Sequence, residues 1–154
     1  MEITVLKSTV EDASEVLALQ KLAYQMEAEI YNDFTIQPLV QTLDELKDEY
    51  RMQTVLKVQI DDTIAGSVRA YLEGDTCYIG KLIVHPSFQN KGIGKTLLQA
   101  AENLFPDTQR FELFTGDKSE KNLYLYTKSG YKAFKQISVT PNITLIFLEK
   151  NRSN

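Results

Sequence analysis

The stretch Gln89-Asn90-Lys91-Gly92-Ile93-Gly94-Lys95-Thr96 places two glycines, two positions apart, at a junction between two apolar patterns. Before it lies a run ending in Ile79, Leu82, Ile83 and Val84, closed by His85-Pro86; after it Leu97, Leu98, Ala101 and Leu104 recur at helical spacing. Glycine lets the backbone turn tightly and approach a ligand. The first N–H groups of a helix have no acceptor within that helix. Strand, glycine loop and helix start in this order make an anion site suited to phosphate, with Lys91, Lys95 and Thr96 on its border. Two familiar phosphate motifs fail on spacing. Gln89 stands where a Walker A loop ending in Gly94-Lys95-Thr96 needs its first glycine, and Leu97 stands where a dinucleotide fingerprint begun at Gly92 needs its last.

A second stretch, Ser119 to Tyr131, carries the phenol of Tyr126 and, one helical turn earlier, the amide of Asn122. Tyr124, two residues from Tyr126, points elsewhere on a helix and reads as structural. Carboxylates able to accept a proton are Glu27, Glu29, Glu73 and Glu112, and sequence does not choose among them. His85, the only histidine, precedes Pro86 at a strand end and reads as a turn residue. Cys77, the only cysteine, has no histidine near it in sequence and reads as a small buried apolar group. Metal-ligand spacing is absent, so no metal is expected.

Together the two stretches resemble the GNAT superfamily of acyl-CoA-dependent N-acyltransferases. Gln89, Gly92 and Gly94 match its Q/R-x-x-G-x-G/A loop, and Leu125, Tyr126, Lys128, Gly130 and Tyr131 match its L-Y-x-K-x-G-[FY] signature. The resemblance implies that acetyl-CoA is the co-substrate, with its pyrophosphate on the amides from Gln89 through Asn90, Lys91, Gly92, Ile93, Gly94 and Lys95 to Thr96. It implies that the strand before the loop and the strand after the next helix run parallel and splay, the pantetheine arm lying in the gap. Leu82 and Val84, with Ile83 between them, are then the backbone contacts to that arm. Tyr126 becomes the general acid that protonates the departing sulfur. The family often has asparagine seven residues ahead of this tyrosine; here that position is Ser119, and Asn122 is the expected cofactor contact instead.

The elements that must position these groups are legible in order. Glu2 to Lys7 alternates as a strand, and a helix follows from the capping pattern at Thr9 to Asp12 as far as about Tyr24. The pattern weakens from Gln25 to Gln41, and a second helix starts at Thr42 with Glu45 reaching back. Val55–Ile60 and Ile64–Leu72 form a hairpin, and Gly74-Asp75 turns into the strand from Thr76 to Val84. The loop helix ends before Pro106; then come a strand from Arg110 to Phe114, a helix from Ser119 to Ser129, and strands from Tyr131 to Val139 and Ile143 to Lys150. This order resembles the GNAT fold over nearly its whole length: an α+β (mixed α/β) fold with a mostly antiparallel, splayed central sheet of about seven strands and about four helices. One domain is expected over residues 1–151, with a tail from Arg152, and the strand from Ile143 to Leu148 is expected to offer an edge to a second subunit in a homodimer.

Charge is polarised. Residues 1–53 hold four basic and eleven acidic side chains, residues 81–132 eight basic and five acidic. A basic middle suits a polyanionic co-substrate and an acidic front a cationic amine. A net charge of −4 disfavours nucleic acid, no apolar run is long enough for a membrane span, and the lone cysteine suits a reducing compartment, so a cytoplasmic protein is expected. The acceptor is expected to be a primary amine, from a small metabolite such as a polyamine or an amino acid derivative, or from a peptide N-terminus or lysine. Glu27, Tyr31 and Glu112 are its expected contacts. The alternative for the same fold is a non-catalytic acyl-CoA sensor.

Overall fold

The computed structural model describes residues 2–152. Its elements are β1 (Val5–Lys7), α1 (Ala13–Tyr31), α2 (Gln37–Val40), α3 (Leu43–Met52), β2 (Thr54–Ile60), β3 (Thr63–Glu73), β4 (Thr76–Val84), α4 (Ile93–Glu102), β5 (Arg110–Gly116), α5 (Glu120–Lys128), β6 (Lys132–Thr140) and β7 (Ile143–Asn151). The strands make one sheet in the order β1-β2-β3-β4-β5-β7-β6. Every neighbouring pair is antiparallel except β4 and β5.

The parallel pair decides the architecture. β4 and β5 share only Thr76↔Arg110, Cys77↔Phe111 and Tyr78↔Glu112. Beyond Tyr78, β4 stays with β3 as far as Gly66↔Val84, while β5 stays with β7 as far as Gly116↔Leu145. The sheet therefore opens between Ile79–Val84 and Leu113–Gly116. A bulge lies in β4 at the opening: Gly80 faces Arg69 and Ile83 faces Ser67, so Lys81 and Leu82 stand against Val68 alone, and Lys81 takes a left-handed φ of 50°. A bulge of this kind sharpens strand twist locally.

Two apolar layers hold the sheet. On one face α4 and α5 pack Ile93, Leu97, Leu98, Ala101 and Tyr126 against Val68, Ala70, Cys77, Ile79, Phe111, Leu113 and Leu148. On the other, α1 and α3 bring Ala13, Val16, Leu19 and Leu46 onto Ile64 and Ile83. A polar network also fastens α1 and α3 to the sheet. Arg69, only 1% exposed on β3, reaches Gln20 of α1 and, at 3.3 Å, Glu49 of α3; Gln20 in turn donates to Gln41 Oε1 at 2.9 Å and to the Pro38 carbonyl at 2.8 Å. A charge enclosed this deeply is tolerated only when paired.

Helix starts follow the expected chemistry at Thr42: its hydroxyl accepts from Glu45 N at 3.2 Å, and Glu45 Oε1 accepts from Thr42 N at 2.8 Å. Four expectations need correction. The first helix does not end at Tyr24 but runs to Tyr31, where Asn32 stops it with φ 50°. Its second half mixes residues facing the cleft with residues facing the core, which blurs the periodicity, while Met, Glu and Ala keep helix propensity high. A fifth, four-residue helix, α2, forms with Pro38 in its first turn, a position that proline tolerates. The strand from Ile143 is not an edge: β7 lies between β5 and β6, and the edge is β6. Arg152 is anchored, its backbone N–H donating to the Gln109 carbonyl at 2.8 Å and its guanidinium to the carbonyls of Thr108 at 2.8 Å and Glu102 at 2.9 Å. The rest of the expected tail, Ser153 and Asn154, lies outside the described residues.

Candidate active site

A cleft of about 500 Å³ occupies the place where β4 and β5 part. Its floor is β4 from Leu82 to Val84. One wall is α1, through Ala23, Tyr24, Met26, Glu27 and Ile30; the other is the start of α5, through Ser119, Asn122 and Leu125. One end is the glycine loop, where Gln89, Asn90, Gly92, Ile93, Gly94 and Lys95 face the space. Gly92 caps α4 with φ 83°, a conformation that a side chain disfavours, and Asn90 is also left-handed at φ 63°. The first intrahelical bond runs from Thr96 N to the Gly92 carbonyl at 3.0 Å, so the amides of Ile93, Gly94 and Lys95 have no acceptor within the helix. Three free donors and the helix dipole make this end an anion cradle. The β4 floor adds main-chain groups that β5 does not pair, which an extended amide ligand can satisfy as a strand would.

The two walls are tied together at one corner. The Tyr31 hydroxyl donates to Asp117 Oδ1 at 2.9 Å and accepts from Lys118 N at 2.7 Å. A Cβ added to Gly116 would collide with the Tyr31 ring and hydroxyl, so glycine is required for this close approach. Ser119, 3% exposed, donates from Oγ to Glu27 Oε2 at 2.5 Å. At the loop, Lys121 Nζ donates to Gln89 Oε1 at 3.0 Å and joins α5 to the anion cradle.

Tyr126 sits in the core beneath this corner, 5% exposed, its ring 6.1 Å from that of Tyr131. Burial pushes its phenol well above the ordinary tyrosine range, and the nearby Tyr24 and Glu27 push it further. Tyr24 is raised to about 12 by burial, with Arg69 opposing and Glu27 adding. No hydrogen bond engages the Tyr126 hydroxyl among the described residues, yet the only fully enclosed, unpartnered side-chain nitrogen or oxygen among them is Arg69 Nε. The Tyr126 oxygen therefore keeps a path to solvent. A carboxylate in the cleft, a protonated phenol buried behind its lining and an anion cradle at the far end are the groups this region offers to an elongated phosphate ester.

The sequence model described as the Acetyltransferase (GNAT) family matches residues 16–131, which include both walls, the floor and the loop. The chain belongs to the GNAT family of acetyltransferases. It is 25% identical over 133 residues to the UPF0157 protein YqkA of Bacillus subtilis (strain 168), a match that takes in 86% of this chain but 38% of that protein's length. Among solved structures it is similar to a PaiA N-acetyltransferase from Thermoplasma acidophilum in complex with coenzyme A, with TM-score 0.80, 18% identity and coverage of 99% of this chain and 100% of that one. It is also similar to an N-acetyltransferase from Staphylococcus aureus Mu50, with TM-score 0.74, 17% identity and coverage of 98% and 99%. These likenesses show the GNAT fold.

The GNAT cleft brings together Leu82, Ile83, Val84, Gln89, Asn90, Gly92, Ile93, Gly94, Lys95, Asn122 and Glu27 of the residues expected from sequence. It leaves others outside, Tyr126 among them, which is buried in the core and does not line the cleft. Lys91 does not line the cleft, and Thr96 Oγ1 donates at 2.8 Å to the Gly92 carbonyl, capping the helix rather than facing a ligand. Tyr31 spends its hydroxyl on Asp117 and Lys118, and serves to position the wall. Glu112 is ion-paired with Arg110 at 2.9 Å beside Glu149, away from the cleft. Cys77 is buried, its thiol raised to about 11 by burial, and His85 Nδ1 accepts from Ser87 N at 3.0 Å within its turn. Sequence reasoning missed the partnership of Ser119 with Glu27 and the apolar lining from Ala23, Met26, Ile30 and Phe88. The signal existed: Ala23, Glu27 and Ile30 lie at helical spacing, visible once α1 is extended past Tyr24.

Proposed function

We propose that this protein is an N-acetyltransferase that moves the acetyl group of acetyl-CoA to a primary amine by direct attack in a ternary complex. The single observation that carries this reading is the parting of β4 from β5 after Tyr78 and Glu112, beside the free amides of α4. Such a gap fits an extended pantetheine arm with its pyrophosphate on the amides of Ile93, Gly94 and Lys95. When bound, acetyl-CoA supplies an activated acyl carbon. Leu82 and Val84 would align the arm through their main-chain groups, and Asn122, whose Nδ2 donates to Thr115 Oγ1 at 3.2 Å, borders it. Tyr126 keeps its proton through neutral pH, the state needed to donate to sulfur as it leaves.

The acceptor enters along α1. Met26 and Ile30, about half exposed, offer apolar surface to an alkyl chain, and Glu27 offers negative charge to the amine end. Calorimetry with acetyl-CoA, followed by mass spectrometry of a panel of primary amines (polyamines, amino acid amides, and peptides with a free N-terminus or lysine), tests the reading. Saturable binding and an acetylated amine are expected. Indifference to acetyl-CoA at millimolar concentration overturns it.

A further inference from the structure

An amine nitrogen that has attacked a thioester must shed a proton before it becomes an amide nitrogen, and some group must accept it. Of the four carboxylates legible in the sequence, only Glu27 lines the cleft. Glu112 is ion-paired with Arg110, and Glu29 and Glu73 are exposed elsewhere. The cleft has one further carboxylate, Glu120, which is exposed in the first turn of α5. Glu27 is the one held in place. Ser119 Oγ, itself buried, donates to its Oε2 at 2.5 Å, while no hydrogen bond engages Oε1 among the described residues. One helical turn back, Tyr24 also lines the cleft, and both Tyr24 and the buried Tyr126 respond to the charge of Glu27. Glu27 thus lines the cleft directly, while the phenol expected to serve the leaving sulfur lies buried behind the lining and within the field of the carboxylate.

We infer that Glu27 is the proton acceptor for the attacking nitrogen, and that Ser119 is a positioning residue that aims it. The inference rests on the acetyl-transfer reading above. The nitrogen lone pair of the neutral amine forms the bond to the acyl carbon. The nitrogen, now positively charged, gives a proton to Glu27 Oε1. The C–S bond breaks with its electron pair going to sulfur, and the Tyr126 hydroxyl supplies the proton that completes the thiol. Glu27 then releases its proton to solvent and solvent restores Tyr126, so amine and thioester become amide and thiol with no net proton change. A carboxylate is a far weaker base than a free alkylamine. It accepts the proton readily only after attack, when the nitrogen is cationic and strongly acidified, and this sets when Glu27 acts.

The test uses the intact protein and two acceptors, butylamine and trifluoroethylamine, together with the fastest amine of the panel above. Trifluoroethylamine is weakly basic and largely unprotonated at neutral pH, whereas butylamine is almost wholly protonated there, so comparing the two separates ionisation of the free amine from the step that follows attack. Other charged or titratable groups share the cleft with Glu27 or feel its charge: Tyr24, Lys95, Lys118, Glu120 and Lys121 in the lining, and Tyr31 and Tyr126 behind it, with Arg69 next to Tyr24. Glu27→Gln removes the carboxylate of Glu27 and leaves that of Glu120 in place. With this variant, kcat falls by about 10²-fold or more for every acceptor while KM stays within a few-fold. Glu27→Asp, which keeps a carboxylate, retains part of the kcat that Glu27→Gln loses, and Glu29→Gln changes nothing. Ser119→Ala lowers kcat in the native background but not beside Glu27→Gln, a coupling that a purely structural serine would not show. Calorimetry with acetyl-CoA confirms that each variant is folded. A raised KM at unchanged kcat in Glu27→Gln overturns the inference while leaving acetyl transfer standing. No turnover of any amine by the unaltered protein overturns the transfer reading, and this inference with it.

Discussion

The Tyr31 hydroxyl lies 2.7 Å from the backbone nitrogen of Lys118, a residue 87 positions later in the chain. This contact, with the bond from the same hydroxyl to Asp117, joins the far end of α1 to the turn between β5 and α5, and so fixes the distance between the two walls of the cleft. Tyr31→Phe removes both bonds and leaves a main-chain N–H without its partner. A loss of about 1–3 kcal/mol in unfolding free energy is expected from denaturant titration. Acetyl-CoA affinity should fall as well, because the wall is no longer pinned. An unchanged midpoint and affinity would mean that the contact does not hold the wall.

Tyr126→Phe removes a hydroxyl that has no protein partner among the described residues, so stability should be nearly unchanged. Turnover should fall by about 10²–10⁴-fold while acetyl-CoA affinity stays within a few-fold. Steady-state kinetics together with calorimetry separates the two. A parallel loss of affinity and turnover would make Tyr126 a packing residue.

Gly92→Ala places a Cβ on a backbone held at φ 83°. The left-handed conformation then costs about 1–2 kcal/mol, which the loop can relieve only by turning its amides away from the anion. Weaker binding of acetyl-CoA is expected, with a smaller effect on the affinity of any amine. Titration of the variant with acetyl-CoA reads this directly.

Stability should fall in alkali. Cys77 is raised to about 11 and Tyr24 to about 12, in each case chiefly by burial. In the unfolded chain these groups ionise first as pH rises, so the unfolded state then holds fewer protons than the folded one, and the slope of unfolding free energy with pH is negative. Their contribution is flat below about pH 8.5, the ordinary cysteine value, and declines above it through the folded values. Denaturant midpoints between pH 8 and 11 check the sign, and alkylation of Cys77 at pH 8 should require unfolding. Ready labelling of the native protein would mean that the thiol is not enclosed.

The loop and the β4 floor were readable because their chemistry is local. Gly92 and Gly94 must fall between a strand and a helix for the amides to converge, and that spacing is written in consecutive residues. The same holds for the capping pair Thr42 and Glu45. Where side chains serve two masters, reading fails: α1 beyond Tyr24 turns one stripe to the core and another to the cleft, and its periodicity fades although the helix continues.

The order of elements, the anion loop and the Leu125–Tyr131 signature were determined by the sequence alone, since each depends on propensity and spacing within a few residues. Only the tertiary structure decided which of four carboxylates lines the cleft. Glu27, Glu29, Glu73 and Glu112 are equivalent as letters, and what separates them is distant pairing: Arg110 neutralises Glu112, solvent takes Glu29 and Glu73, and Ser119 holds Glu27 at the cleft. Likewise β7, an edge by its place near the end of the chain, is internal because β6 pairs outside it. Hydrogen bonds and ion pairs between remote segments form only once the chain has closed upon itself, and no local pattern encodes them.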